Sequence, residues 1–233
     1  MSLPEALSER TLERLSAALD LRPADDVPLT SPMSPDPVGR LRVLRPEGAD
    51  GPVGKAVSVS LVVPQIGLDS HMIFVFTRPG SAVPHFTLDA VAAAEFHAMH
   101  LDLIPRAELA VNLEYLDACF LPLTDPLERA WRLDGLSPAA IGPRQRAMMS
   151  PWMLVCRATD DAFAALGPTV DAYLDHWLTL VGGGVPEPAG DLAGRDRVCR
   201  ANLFSPDVDP VWHQVTRLIG AGQSETVRKE LLK

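Results

Sequence analysis

The residues best suited to chemistry are two lone aspartates, Asp89 and Asp102. Each is set among alternating apolar residues, in FTRPGSAVPHFTLDAV (76–91) and FHAMHLDLIPRAELAVNLEYLDACF (96–120). Burying a carboxylate is costly, so an acid recurring inside a strand pattern is either paired or handling protons. Asp89 closes its strand pattern, where Asp is also an ordinary surface turn residue. His85 shares a strand face with Thr87 and Asp89 by the period of two, within reach of the same ligand. His85, His97 and His100, with Glu95 and Asp102 nearby, invite a metal reading. In a strand, however, 97 and 100 point to opposite faces, so one ion cannot take both without a bulge, and no metal site is expected. Asp209 precedes Pro210, which suits a helix N-terminus as well as an active-site acid. Asp207 lies on the same short loop and competes for either role.

These side chains need a sheet to hold them. Residues 4–20 read as an amphipathic helix, with Leu12, Leu15, Ala18 and Leu19 on one stripe. The stretch LRPADDVPLTSPMSPDPVG reads as irregular because its prolines oppose regular structure, so residues 1–38 form a helix and a Pro-rich lead-in. Strand patterns follow at 39–45, 55–64, 70–77, 82–90 and 96–104, and their short connections require antiparallel pairing. AELAVNLEYLDACFLPL and DPLERAWRL read as a helical pair broken at Pro122, LSPAAIGPRQR as a loop, and SPWMLVCRA (150–158) as a sixth strand. DDAFAALGPTVDAYLDHWLTLV reads as helix, started at Asp160 or Asp161 and stopped by Gly182–Gly184, with Pro168 marking a first turn. VGGGVPEPAG is a linker, and helical stretches interrupted by FSPDVDP complete the chain. This order predicts an α+β fold: one domain over 1–233, an α/β/α sandwich whose mostly antiparallel central sheet is flanked by helices.

Composition narrows the function classes. A chain of 233 residues, 47% apolar and 22% charged, can bury a sizeable core. No apolar run approaches the ~20 residues of a membrane-spanning helix. The N-terminus carries Glu5 and no apolar signal core. A cytoplasmic protein with no membrane partner is expected. A net charge of −9 argues against nucleic acid. The positive charge is nearly all arginine, Lys55, Lys229 and Lys233 being the only lysines, and Arg clusters at 40–45, 144–157 and 195–200 are candidates for a local basic face. Cys119, Cys156 and Cys199 have no paired spacing and read as buried, inert thiols. GxGxxG, GxxxxGK[ST], GxSxG and HExxH are all absent, so no nicotinamide or flavin Rossmann site is expected.

The block 76–120 resembles the ferredoxin-dependent bilin reductases, and more closely their plant relatives, the red chlorophyll catabolite reductases. In those families a P-x-F-x-x-D/E segment precedes a strand reading L-D-L-x-P-R. The matching residues here are Pro84, Phe86 and Asp89, then Leu101, Asp102, Leu103, Pro105 and Arg106. Pro79 extends the match, and Pro84–His85–Phe86 repeats the P-H-F of the catabolite reductases. A late N-D-P segment followed by Gly has its counterpart in Asp209, Pro210 and Gly220, with Val208 where Asn is usual. SPWMLVCRA and AYLDHWLTLV are also similar to family elements. The resemblance touches most of 39–230, is specific over 76–120, and leaves the N-terminal fifth unmatched. Counting back from Pro79, the His that some bilin reductases carry one strand earlier falls on Met72. His71 is its neighbour, on the opposite face and structural or exposed. The His–Asp pair of the enzymes that reduce a biliverdin vinyl group is thus not expected here.

The resemblance implies a cleft between the sheet and the C-terminal helices that holds one linear tetrapyrrole, a bilin or chlorophyll catabolite. It implies no tightly bound cofactor. Electrons come singly from reduced ferredoxin directly onto the substrate, through a radical. Asp89 takes the place of the acidic proton donor and Asp209 that of a second one, with Asp102 structural. His85 and Phe86 become ligand contacts, and Arg144, Arg146 and Arg157 become clamps for the substrate's propionates. Two other readings remain: a tetrapyrrole-binding protein without turnover, and a reductase-fold enzyme acting on a substrate that is not a tetrapyrrole.

Overall fold

A computed structural model of the chain describes residues 1–48, 50–93 and 95–233. The first helix, α1 (Leu3–Leu19), is fixed by a capping box in which Ser2 and Glu5 satisfy each other's backbone N–H groups. Eight strands follow: β1 (Leu21–Ser31), β2 (Ser34–Pro46), β3 (Val53–Val63), β4 (Leu68–Thr77), β5 (His85–Ala92), β6 (His97–Ile104), β7 (Leu136–Pro138) and β8 (Leu154–Ala158). They make one sheet in the order β1-β2-β3-β4-β5-β6-β8-β7, antiparallel throughout. The remaining helices are α2 (Leu113–Cys119), α3 (Thr124–Ala130), α4 (Pro143–Arg146), α5 (Asp160–Ala165), α6 (Gly167–Gly183), α7 (Leu192–Leu203) and α8 (Val211–Leu232). The α+β sandwich expected from the order of elements is therefore the observed architecture.

Strand alternation divides the interior into two cores. On one face Ile73, Val75, Phe86, Leu88, Ala90, Met99, Leu101 and Leu103 pack with α1, α2, α3, α5 and α6. On the other, Val57, Val59, Leu61, Phe74, Phe76 and Ile104 pack with Leu203, Phe204, Trp212, Ile219 and Val227 of the C-terminal helices. Both faces are covered, so apolar residues are expected at every strand position. The second face breaks that rule with His85, Thr87, Asp89, His100 and Asp102, which alternate with the first-face residues of β5 and β6.

Four sequence expectations need correction. The Pro-rich stretch 21–39 is not irregular but mostly the β1–β2 hairpin. Its prolines are tolerated because Pro23 and Pro28 lie on the sheet's edge strand, and Pro35 and Pro37 precede the β2–β3 pairing that begins at Gly39. The edge is also covered: the Gln223 amide of α8 exchanges hydrogen bonds with the Thr30 backbone at 2.8 and 3.0 Å, imitating a partner strand. The segment 136–146, read as loop, contains the short edge strand β7 and α4. The strand read over 150–158 begins only at Leu154, because the Asp102 carboxylate holds Ser150 in a turn. Further on, Thr159 rather than Asp160 or Asp161 caps α5, and α6 begins around Pro168 as the fixed φ of proline favours.

Candidate active site

Cross-strand pairing assembles a polar row on the second face. Asp89 of β5 pairs with Met72 of β4 on one side and His100 of β6 on the other. The C-terminal layer closes over this row through Leu203, Phe204, Asp209, Val211 and Trp212, joined by Gln145 of α4 and by Met149. A cavity of about 80 Å³ remains between the layers, with Met72, Asp89, His100 and Asp209 in its wall.

Asp89 has no hydrogen-bond partner for Oδ1. Burial, with the nearby Asp209 carboxylate adding to it, raises its pKa from 3.8 to about 7. Burial raises Asp209 as well, but two donors offset it: the Val211 N–H at 3.0 Å and the Gln145 amide at 3.2 Å favour the anion. Of two acids in one cleft, Asp209 ionises first and Asp89 keeps its proton near neutrality. Asp209 accepts the Val211 N–H at the start of α8, as a cap would, while its side chain also faces the cavity. The rival Asp207 is exposed, its carbonyl taken by Arg144 at 3.3 Å.

The other sequence candidates scatter. Phe86 is fully buried on the opposite face against Trp177, at a ring separation of 5.8 Å, and Trp177 donates to the Pro84 carbonyl at 2.8 Å. Phe86 therefore does not reach the cleft, because one strand residue cannot face both sides. His85 is on the cleft's face but in a separate buried cluster. Its Nδ1 accepts the Thr77 N–H at 3.0 Å, and its Nε2 lies 2.7 Å from both Asp196 Oδ1 and Arg106 Nη1. Arg106 reaches the same Asp196 oxygen at 2.8 Å, and Arg200 lies 3.7 Å from the other. Burial would raise Asp196, but the His85 hydrogen bond and both guanidiniums hold it below the usual range. The same burial lowers His85 to about 4. This cluster ties α7 to the sheet, and Arg200 extends the tie to the Leu231 carbonyl at the end of α8.

Arg144 and Arg146 are exposed on α4, beside the cavity's Gln145. Arg157 projects on the cleft's face two pairs beyond His100, stacked over the Phe96 ring at 4.5 Å. The basic face proposed from Arg clusters is reduced, since Arg200 is internal and Arg40 and Arg42 pair with Asp26 and Glu9. Asp102 is fully buried and accepts the Ser150 N–H at 3.0 Å and hydroxyl at 2.5 Å, an anchoring role filled without an arginine. His71 is buried beside Asp69 at 2.6 Å, on the face away from Asp89. His97 pairs with Asp160 at 3.2 Å on that same far face. Among the described residues no group of three His, Cys, Asp or Glu is gathered to hold a metal ion, and none of the helices is long and apolar enough to cross a membrane.

Two residues of the cavity wall have no place in the sequence reading of the cleft: His100, which it weighs only as a metal ligand, and Gln145. His100 was legible in principle: a hairpin closed at Ala92–His97 puts 100 opposite 89. Gln145 comes from a segment read as loop, with no periodic signal.

No protein-family model matches the sequence, and no curated protein matches it significantly. The fold does have solved counterparts. The crystal structure of phytochromobilin synthase from tomato in complex with biliverdin superposes with a TM-score of 0.72 at 17% identity, over 98% of this chain and 82% of that one.

Proposed function

We propose that this protein reduces an open-chain tetrapyrrole, a bilin or chlorophyll catabolite. Each double bond takes up two electrons and two protons. A reduced ferredoxin supplies the electrons one at a time directly to the bound substrate, and the cleft supplies the protons. The observation that carries this reading is the carboxyl pair across the cleft: Asp89 without a partner and raised to about 7, and Asp209 raised beside it. A carboxylic acid still protonated near neutral pH is the general acid that a substrate radical anion requires. Asp89 is then the first donor, and Asp209, the acid of the pair that ionises first, serves as the second after it has taken up a proton from solvent. The likeness to a biliverdin-bound synthase supports the choice of substrate class.

Arg144 and Arg146 at the rim, and Arg157 on the sheet face, are the groups for the propionates. The exposed arginines of α4 also offer an acidic ferredoxin a local positive surface on a negative body, a docking that weakens as salt rises. The cavity of about 80 Å³ is far below the ~300–1,000 Å³ of ordinary ligand sites, so the C-terminal layer must move outward to admit a tetrapyrrole. That small volume also favours a second reading, a reductase of a smaller conjugated substrate. Titration with biliverdin and with chlorophyll catabolites decides between them. The proposal expects a saturable shift of the visible band and consumption of the ligand only when reduced ferredoxin is added. No shift with any linear tetrapyrrole favours the smaller substrate, and a shift without turnover favours a binding protein.

A further inference from the structure

His100 stands directly across from Asp89 in the β5–β6 ladder, and nothing in the motifs above accounts for it. Directly opposed side chains have Cβ atoms ~4.5–5.5 Å apart, close enough for an imidazole and a carboxylate to pair. They do not. Asp89 Oδ1 and His100 Nε2 are both sealed from outside and both lack a hydrogen-bond partner, as does Thr87 Oγ1 two residues before Asp89 on the same face. Asp102 and His85 on this face are satisfied, by Ser150 and by Thr77 and Asp196, whereas Arg106 leaves its Nε unpaired in the separate Asp196 cluster. Buried polar atoms are nearly always bonded, so two orphans on facing residues of one cavity wall, Asp89 and His100, mark where a missing polar group belongs. Burial lowers His100 to about 4, so its ring is neutral and offers one N–H and one lone pair. The ionisable groups around it are Asp89 on β5 and Asp209 before α8, with the Gln145 amide on α4.

We infer that His100 is a catalytic residue of this cleft: its neutral imidazole hydrogen-bonds the ligand edge that Asp89 protonates and holds that edge between β5 and β6. The inference rests on the proposed reductase function. The edge it suits carries a ring N–H beside a carbonyl or ring nitrogen, as a lactam or pyrrole ring does. One electron from the ferredoxin-class iron–sulfur donor makes the ligand a radical anion. The Asp89 carboxyl then gives its proton to it, leaving an aspartate anion that solvent reloads, and His100 neither gains nor loses a proton. Met72, on the other side of Asp89, has only a weakly accepting thioether and cannot do this.

The test compares wild-type protein with His100→Leu and His100→Gln, using biliverdin as ligand. It reads the visible-band titration, the single-turnover rate with reduced ferredoxin, and the urea unfolding midpoint. His100→Leu removes an unpaired buried polar atom, so its midpoint should hold or rise while the rate falls roughly 10²-fold. His100→Gln, which keeps a donor and an acceptor, should recover about tenfold or more of that loss. A rate in His100→Leu within about threefold of wild type overturns the inference, as does a Gln variant no faster than Leu. A loss of rate that tracks a loss of stability returns His100 to a structural role and overturns it too. If the wild-type protein gives no band shift, the reductase reading fails and this inference with it.

Discussion

Asp89 carries its pKa shift as a liability that can be measured without any substrate. Its pKa rises from 3.8 to about 7 on folding, so the folded state binds the proton more tightly than the unfolded chain. The sign follows: stability attributable to the neutral group is present at low pH and is lost as pH climbs from about 4 through about 7. Replacing Asp89 by Asn removes that dependence. The stability of wild type relative to Asp89→Asn should fall by about 1–3 kcal/mol between about pH 4 and pH 8, read from urea midpoints. Parallel pH profiles would mean that the carboxyl is solvated. Asp209 separates two roles held by one side chain. Asp209→Ala removes the hydrogen bond to the Val211 N–H and should cost about 0.5–2 kcal/mol, whereas Asp209→Asn still accepts it and should keep stability while stalling the reaction or changing its product. A fully active Asp209→Asn leaves the residue a cap alone. The place of Asp89 inside the molecule was legible because an acid in an apolar alternation is conspicuous. Phe86 misled for a related reason: it shares the motif, but its parity sends it to the other core, where only packing against Trp177 explains it.

Elements were legible where periodicity was strong and illegible where composition argued against it. The strands from β3 to β6 stand out as apolar runs between turn signals, and the sequence boundaries fall within a few residues of the observed ones. The β1–β2 hairpin was obscured by prolines that an edge position tolerates, a property of sheet order rather than of local sequence. The α8 helix hides a break: Gly220 adopts φ 80° and ψ 160°, splitting Val211–Leu232 into two helical pieces. The first piece covers the cavity through Val211 and Trp212, and the second packs over the β1 edge through Gln223. That backbone region is essentially restricted to glycine. A Cβ there meets no atom within 4 Å, so the cost of Gly220→Ala is conformational and should be about 1–3 kcal/mol, seen as a lower unfolding midpoint. An unchanged midpoint would show that the break relaxes into continuous helix.

At the scale of the whole molecule, the sandwich is held unevenly. Its C-terminal layer is tied at one end by the buried His85–Arg106–Asp196–Arg200 cluster and by Lys55 with Glu230, where breaking a pair costs several kcal/mol. Around the cavity Phe204 is held by Arg228 and by packing on Phe74 and Phe76, while beyond it the ties are lighter: the Gln145–Asp209 bond and the exposed Arg144 contact with the Asp207 carbonyl. On the proposed function, opening for a ligand falls to the 205–210 loop and α4 rather than to the anchored end. The central claim is that Asp89 protonates a tetrapyrrole reduced in this cleft. It is tested most directly by anaerobic single turnover of the biliverdin complex with reduced ferredoxin, comparing wild type with Asp89→Asn. The account predicts equal binding, complete reduction by wild type, and in Asp89→Asn a rate lower by roughly 10²–10⁴-fold with the one-electron radical accumulating. Full-speed turnover by Asp89→Asn, or a wild-type protein that neither binds nor reduces the pigment, would contradict it.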